Sequence, residues 1–99
     1  MRKQKMVAVR EVCRHYKVKR SFINSLQDFN LLEITVIDDE HFIHHNQLQL
    51  LDKFARLHFD LNINLEGIDA IFHLLQKIDS MYNETQRLQN KLQQFTDGQ

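Results

Sequence analysis

The feature that most constrains this chain is a long C-terminal stretch without helix breakers. From Leu65 to about Phe95 the only breaker is Gly67, which falls in the first turn, where glycine costs little. A helix of about 31 residues spans roughly 45 Å at a rise of about 1.5 Å per residue. The rest of a 99-residue chain is too small to cover a helix of that length. Its distal half therefore needs a partner.

The apolar residues of this stretch predict what the partner is. They recur at intervals of three and four residues, as in a coiled coil, with one phase slip after Ile78. We therefore expect residues 64–95 to form a helix that pairs with a second copy of the chain, followed by a tail over 96–99. The alternative is a Gln-rich helix end that frays. The residues predicted to form the dimer contact are Ile71, Leu75, Ile78, Met81, Leu88, Leu92 and Phe95.

Residues 7–63 show the patterns of a small, mainly α domain. The chain has two Gly and no Pro, which favours helices joined by short turns. Apolar spacing predicts a helix over Val7–Tyr16 and a second from about Ser21 to Phe29, a helix-turn-helix arrangement. A third helix is predicted from an N-cap at Asn46 to about Leu61.

Between the second and third helices the composition changes to that of strands. Leu31–Ile37 is rich in β-branched residues, and His41–Ile43 follows a polar turn at Asp38, Asp39 and Glu40. We expect a two-stranded β-hairpin here, which makes the predicted fold a winged helix-turn-helix with a long C-terminal dimerisation helix.

Charge is distributed unevenly along the chain, although the formal net charge is zero. Residues 1–20 hold eight of the 13 basic residues and one acid, and residues 1–6 are expected to form a basic flexible arm. Residues 21–52, which contain the second helix and the hairpin, hold six acids and no Lys or Arg. A surface that neutralises DNA phosphates needs cations, so this charge distribution argues against a conventional DNA-reading face.

Short motifs spread along the chain carry a family resemblance. They are Val9-Arg10-Glu11-Val12-Cys13 in the first helix, Phe22-Ile23-Asn24-Ser25-Leu26 in the second, Asn30-Leu31-Leu32-Glu33 at its exit, and Leu65-Glu66-Gly67-Ile68 at the start of the last. In this order, over about residues 7–95, the chain resembles the MerR-type winged helix family. Within it, the chain is most similar to the CbpM branch of chaperone modulators.

That resemblance implies a non-enzymatic protein that needs no cofactor. Proteins of the CbpM branch bind the J-domain of a DnaJ-type co-chaperone, CbpA, and inhibit it. MerR-type regulators instead place the second helix in the major groove, using clusters of Arg and Tyr in that helix and in the wing. The corresponding positions here read Ile23-Asn24-Ser25-Leu26 and His41-Phe42-Ile43. The resemblance therefore favours a protein partner over DNA.

Two sets of charged residues follow from these alternatives. A J-domain, by its family's character, presents a helix rich in Lys and Arg, so acids are expected to meet it. The acids predicted to contact the J-domain are Asp38, Asp39, Glu40, Asp52 and Asp60. In the alternative, a MerR-like transcriptional regulator, the cations around the helix-turn-helix entry contact DNA phosphates. Those cations are Arg10, Arg14, Lys17, Lys19 and Arg20.

Other chemistries find little support in the sequence. No two of the six His residues lie four apart on a predicted helix, and the sole Cys lies far in sequence from five of them, so no metal site is expected. No nucleophile motif or phosphate-binding loop is present, so no enzymatic activity is expected. A single Cys excludes an internal disulfide and, with no signal peptide in evidence, predicts a cytoplasmic protein. No apolar run reaches the length of a membrane span.

Overall fold

The computed structural model describes residues 5–97. These fall into two compact units, divided after Asp69. The elements in chain order are β1 (Met6–Ala8), α1 (Val9–Tyr16), α2 (Arg20–Asp28), β2 (Thr35–Ile37), β3 (Glu40–His44), α3 (Leu48–Ala55) and α4 (Leu65–Asp97). The predicted class, mainly α with a winged helix-turn-helix and a long C-terminal helix, is confirmed.

The sheet has one strand more than the predicted hairpin. Its order is β1-β3-β2, with both pairings antiparallel and β3 in the centre. Val7 pairs with Ile43 in one ladder, and Val36 pairs with His41 in the other. Met6, predicted to belong to the flexible arm, lies in β1, because the short apolar run 6–8 satisfies the free edge of β3. Residues 1–4 of the predicted arm lie outside the described residues.

A left-handed residue forms the turn between α1 and α2. Lys17 has φ 57°, and the amide of Val18 donates to the carbonyl of Cys13 over 3.1 Å. This pattern satisfies carbonyls at the end of a helix and usually has Gly at the left-handed position. The turn therefore follows the helix-turn-helix prediction, with a lysine in the place that glycine favours.

The third helix differs from its prediction at both ends. A 3₁₀ turn occupies His45–Gln47 and a π-helical turn occupies Arg56–Asp60, so α3 itself is only eight residues long. The predicted cap at Asn46 is wrong, because the 3₁₀ turn delays the start of α3 to Leu48. The Gln47 side chain instead pairs with the backbone N–H and C=O of Glu33, over 2.9 Å each.

One hydrophobic core holds the N-terminal unit together. The side chains that are essentially inaccessible to solvent come from β3 and from all four helices, and they are Val9, Val12, Ile23, Leu26, Ile43, Leu51, Phe54 and Ile68. Burying such a side chain contributes about 1.5–3 kcal/mol. This core fixes α2 and the hairpin relative to α1, and thereby positions the surface side chains that these elements carry.

Candidate functional site

The tip of the hairpin is a two-residue turn made of Asp38 and Asp39. Both residues are left-handed, with φ 51° and 64°, and they join the paired residues Ile37 and Glu40. Two consecutive positive φ values define a type I′ turn, which strongly favours Asn-Gly or Asp-Gly. We call Asp38 and Asp39 the acidic tip. It places a second carboxylate, that of Asp39, where this turn prefers Gly.

The third predicted acid of the hairpin, Glu40, is already engaged. Its carboxylate forms an ion pair with Arg10 of α1, which ties the hairpin to the first helix. Within residues 5–97 neither residue of the acidic tip forms an ion pair, and both are exposed. Val36 and Ile37 beside them are also exposed, by 58% and 46%. The tip therefore combines free carboxylates with accessible apolar surface.

The remaining predicted acids lie away from the hairpin. Asp52 forms an ion pair of 3.3 Å with Arg56, one helical turn further along. Asp60 ends the π-helical turn and is exposed. In the described part of the chain, no hydrogen bond or ion pair joins either residue to the acidic tip. Whether these two acids contact a partner stays a prediction.

The cations of the alternative interpretation are partly neutralised. Arg10 pairs with Glu40 and Arg14 with Glu11. Arg20 contacts Asn24 Oδ1 at 3.2 Å and His41 Nδ1 at 2.8 Å. Among residues 5–97, Lys17 and Lys19 have no acidic partner. Arg20 also keeps its charge, because neither Asn24 nor His41 is an acid, so the free positive charge near the start of α2 is carried by Arg20 and these two lysines.

Both lysines border a cleft between the start of α2 and the π-helical turn. The cleft has a volume of about 400 Å³. Its floor contains three rings in mutual contact: Phe22 lies 5.1 Å from both His58 and Phe59, centroid to centroid, and those two lie 4.8 Å apart. We call this site the aromatic cleft. Because His58 and Phe59 are consecutive, the π-helical turn brings both rings against Phe22.

Sequence reasoning missed the aromatic cleft. The only signal was an aromatic ring beside His58 at the end of an amphipathic stretch, which equally fits an ordinary helix face. The Nδ1 atom of His58 lies 2.9 Å from the carbonyl oxygen of Ile63. Since a carbonyl only accepts hydrogen bonds, Nδ1 carries the proton and the other ring nitrogen remains an acceptor in the neutral ring.

In the C-terminal unit, α4 exposes a row of large apolar side chains. Six of the seven predicted dimer residues are more than half exposed, and Ile71 is half-buried. Leu74 and Tyr82, which were not predicted, are exposed too, by 59% and 60%. With Leu74 in place of Leu75, and with Thr85 at the position between Met81 and Leu88, the intervals of three and four run from Ile71 to Phe95 without the predicted phase slip.

Among residues 5–97, no three His, Cys, Asp or Glu side chains come close enough together to hold a metal ion. None of the helices formed by these residues is long and apolar enough to cross a membrane.

Comparison with protein families gives a match over most of the chain. A family model described as "MerR HTH family regulatory protein" matches residues 7–90. Comparisons with curated proteins and with solved structures yield no match. The family match covers the helix-turn-helix, the hairpin and most of α4.

Proposed function

The chain belongs to the MerR HTH family of regulatory proteins, and on that premise we propose that it binds and inhibits a J-domain co-chaperone of the DnaJ/CbpA type without being an enzyme. The observation that carries the proposal is the acidic tip. A wing that contacts DNA needs cations, whereas this hairpin ends in Asp38 and Asp39, both without an ion-pair partner in residues 5–97.

The conformation of the acidic tip supports a role in binding. Asp is among the few residues besides Gly that adopt left-handed backbone, so Asp38 suits the first position of the turn, whereas Asp39 occupies the position where a type I′ turn prefers Gly. Sequences that break a local folding rule do so most often at functional positions. The second acid of the turn, Asp39, is therefore better explained by a cationic partner than by folding.

The proposed contact joins the acidic tip to the Lys- and Arg-rich helix of the J-domain. The charges accelerate association and select the partner, while the exposed side chains of Val36 and Ile37 supply apolar contact area. The partner's helix is occupied in this complex, which accounts for inhibition of the co-chaperone. Glu40 stays bound to Arg10 and holds the hairpin in place.

A second part of the proposal concerns α4. Its row of exposed apolar residues has coiled-coil spacing, and we assign it to a homodimer. A dimer carries two acidic tips, so it offers two J-domain sites per particle.

Calorimetric titration with the J-domain of the host's own DnaJ-like co-chaperone tests the proposal. We expect saturable binding that weakens as ionic strength rises. The decisive variant combines Asp38→Asn with Asp39→Gly, which removes both charges and supplies the residues that a type I′ turn prefers. Loss of two exposed charge contacts should weaken binding roughly threefold to tenfold while the fold is retained.

A matched control combines Asp28→Asn with Asp79→Asn, which removes two exposed acids elsewhere. This control should bind as the unchanged protein does. Equal weakening by both double variants would show that net charge, and not the acidic tip, drives the interaction. Absence of binding by a folded, unchanged protein would refute the co-chaperone proposal.

DNA binding is the second candidate function, favoured by the two unpaired lysines before α2. Lys17 and Lys19 lie where a helix-turn-helix meets the phosphate backbone. Fluorescence anisotropy with DNA from the protein's own promoter tests this candidate. With two phosphate contacts, a plot of log affinity against log salt concentration should have a slope of about −2. Lys17→Asn should reduce the magnitude of that slope by about 1. A salt-independent affinity, or one unchanged by that substitution, would rule out these contacts.

A further inference from the structure

We propose that the aromatic cleft binds a peptide segment of a partner protein in which a carboxylate lies next to an aromatic or large aliphatic side chain. This inference is independent of the co-chaperone proposal, because it concerns another surface with the opposite charge. It rests on the cations at the cleft, on its aromatic floor and on the backbone that forms it.

The polar groups of the cleft select a single anionic group. Lys17 and Lys19 lack acidic partners in the described part of the chain, and both line the cleft. The hydroxyls of Ser21 and Ser25 line it as well, and neither forms a side-chain hydrogen bond within residues 5–97. Two ammonium groups and two hydroxyl donors match the oxygens of a carboxylate.

The floor of the cleft selects an apolar neighbour for that carboxylate. Phe59 remains 57% exposed although its ring contacts both Phe22 and His58. Aromatic residues, including Phe, are enriched in the cores of protein interfaces, so this accessible ring offers a contact for an apolar side chain of the peptide. The ring is presented by a π-helical turn, a rare distortion that is frequent at functional sites.

The open shape of the cleft favours a peptide over a free small molecule. Small-molecule sites enclose about 70–90% of their ligand, whereas the exposed face of Phe59 leaves this cleft open on one side. A chain segment gains its remaining contacts outside the cleft. The exposed side chain of Leu61, two residues beyond Phe59, provides apolar surface in that direction along the chain.

Nucleic acid fits the cleft less well than a peptide. Duplex DNA carries a charge about every 1.7 Å of its axis, so it needs a track of cations. Here the chain continues from Phe59 to Asp60 and from Leu65 to Glu66, and both acids are exposed. These carboxylates repel a long polyanion more strongly than a single carboxylate, because more of the polyanion's charges come within their range.

Nuclear magnetic resonance titration of the ¹⁵N-labelled full-length chain tests the proposal. The probe is an acetylated and amidated peptide of sequence Ala-Asp-Phe-Leu-Ala. The comparison peptides replace its Asp by Asn or its Phe by Ala. We expect saturable shifts at the backbone amides of Ser21, Phe22 and Phe59. Each comparison peptide should bind at least about threefold more weakly, because it lacks one of the two recognised groups.

Protein variants distinguish binding in the aromatic cleft from a general effect of positive charge. Lys17→Asn with Lys19→Gln should weaken binding of the probe peptide. Asn is chosen at position 17 because it suits the left-handed backbone there. Lys53→Gln with Lys91→Gln removes the same charge from exposed positions elsewhere and should leave binding unchanged. Phe59→Ala should also weaken binding, whereas Phe59→Leu should retain most of it.

Four results would overturn the proposal. They are equal binding of the Asp and Asn peptides, equal loss in both lysine variants, no saturable shift, and stronger perturbation of the same amides by duplex DNA than by the probe. The last result would assign the lysines to nucleic acid.

Discussion

The backbone amide of Gly67 donates a hydrogen bond of 2.8 Å to the side-chain oxygen of Asn64. This bond caps the N-terminus of α4, with Asn64 as the capping residue. A Cβ atom added at Gly67 would lie 3.0 Å from that oxygen and only 2.7 Å from Cγ2 of Ile63. The glycine therefore allows the cap to close against the preceding turn.

Replacement of Gly67 by Ala should destabilise the protein, although Ala is intrinsically the better helix former by about 1 kcal/mol. The Cγ2 methyl of Ile63 is attached directly at its branch point, so it has little freedom to move away. We expect a net loss of about 1–2 kcal/mol, as for other overpacked sites, measured by urea denaturation. Asn64→Ala should cost about 1 kcal/mol for the lost cap. A more stable Gly67→Ala variant would show that the turn relaxes easily.

The hairpin turn should become more stable when its charges are removed. Asp38→Asn with Asp39→Gly supplies the preferred type I′ pair and should raise the free energy of unfolding by about 0.5–1 kcal/mol. Thermal unfolding measures this gain, and Asp39→Ala, which cannot relieve the left-handed backbone, is the control. If the pair of substitutions stabilises the protein while weakening J-domain binding, the acidic tip is retained for binding. A loss of stability would contradict the turn assignment.

Local patterns in the sequence were sufficient to predict the helix-turn-helix, the hairpin and the long final helix. Apolar periodicity and β-branched content act over a few residues, so they are legible without tertiary information. Strand β1 was not predicted, because three residues acquire strand conformation only by pairing with β3. The π-helical turn was missed for a related reason, since Arg56–Asp60 has no distinctive composition.

The sequence predicts which charged residues are candidates for binding, but it does not predict which of them form ion pairs with each other. Arg10 and Glu40 were assigned to opposing interpretations, yet they bind each other across 30 positions of sequence. The aromatic cleft depends likewise on Phe22 meeting Phe59, which only the folded core brings together. Contacts between distant residues therefore decided which predicted side chains remain free.

The thiol of Cys13 should be unreactive and should make stability depend on pH. Burial raises the pKa of Cys13, and the weaker effect of the Arg20 charge opposes this. The folded state then holds the thiol proton more tightly than the unfolded state, whose cysteine pKa is about 8.5. Stability is complete below that value and declines as pH rises through the raised pKa.

Two measurements check the prediction for Cys13. Modification by a thiol reagent at mildly alkaline pH should be slower in the folded protein than in the urea-unfolded chain. Cys13→Ala should abolish the part of the alkaline stability loss that comes from the thiol. A variant whose stability falls with pH as steeply as that of the unchanged protein would assign the loss to other groups.

The apolar row on α4 should hold two copies of the chain together. Ile78 and Leu88 occupy positions within the regular three-four spacing, and both are more than half exposed in the single chain. Burial of each such side chain contributes about 1.5–3 kcal/mol, and a dimer buries both residues twice. Ile78→Asp with Leu88→Asp should therefore convert a dimer into a monomer, as measured by sedimentation equilibrium.

A matched control distinguishes this seam from a general effect of charge on α4. Asn83 and Asn90 lie on the opposite face of the helix in the same heptad frame, so Asn83→Asp with Asn90→Asp adds equal charge away from the seam. The control should remain dimeric, and its unfolding temperature should still rise with protein concentration, since association stabilises the folded state. Dissociation of both variants would mean that α4 tolerates no added acids. A monomeric unchanged protein would mean that the exposed row serves another partner.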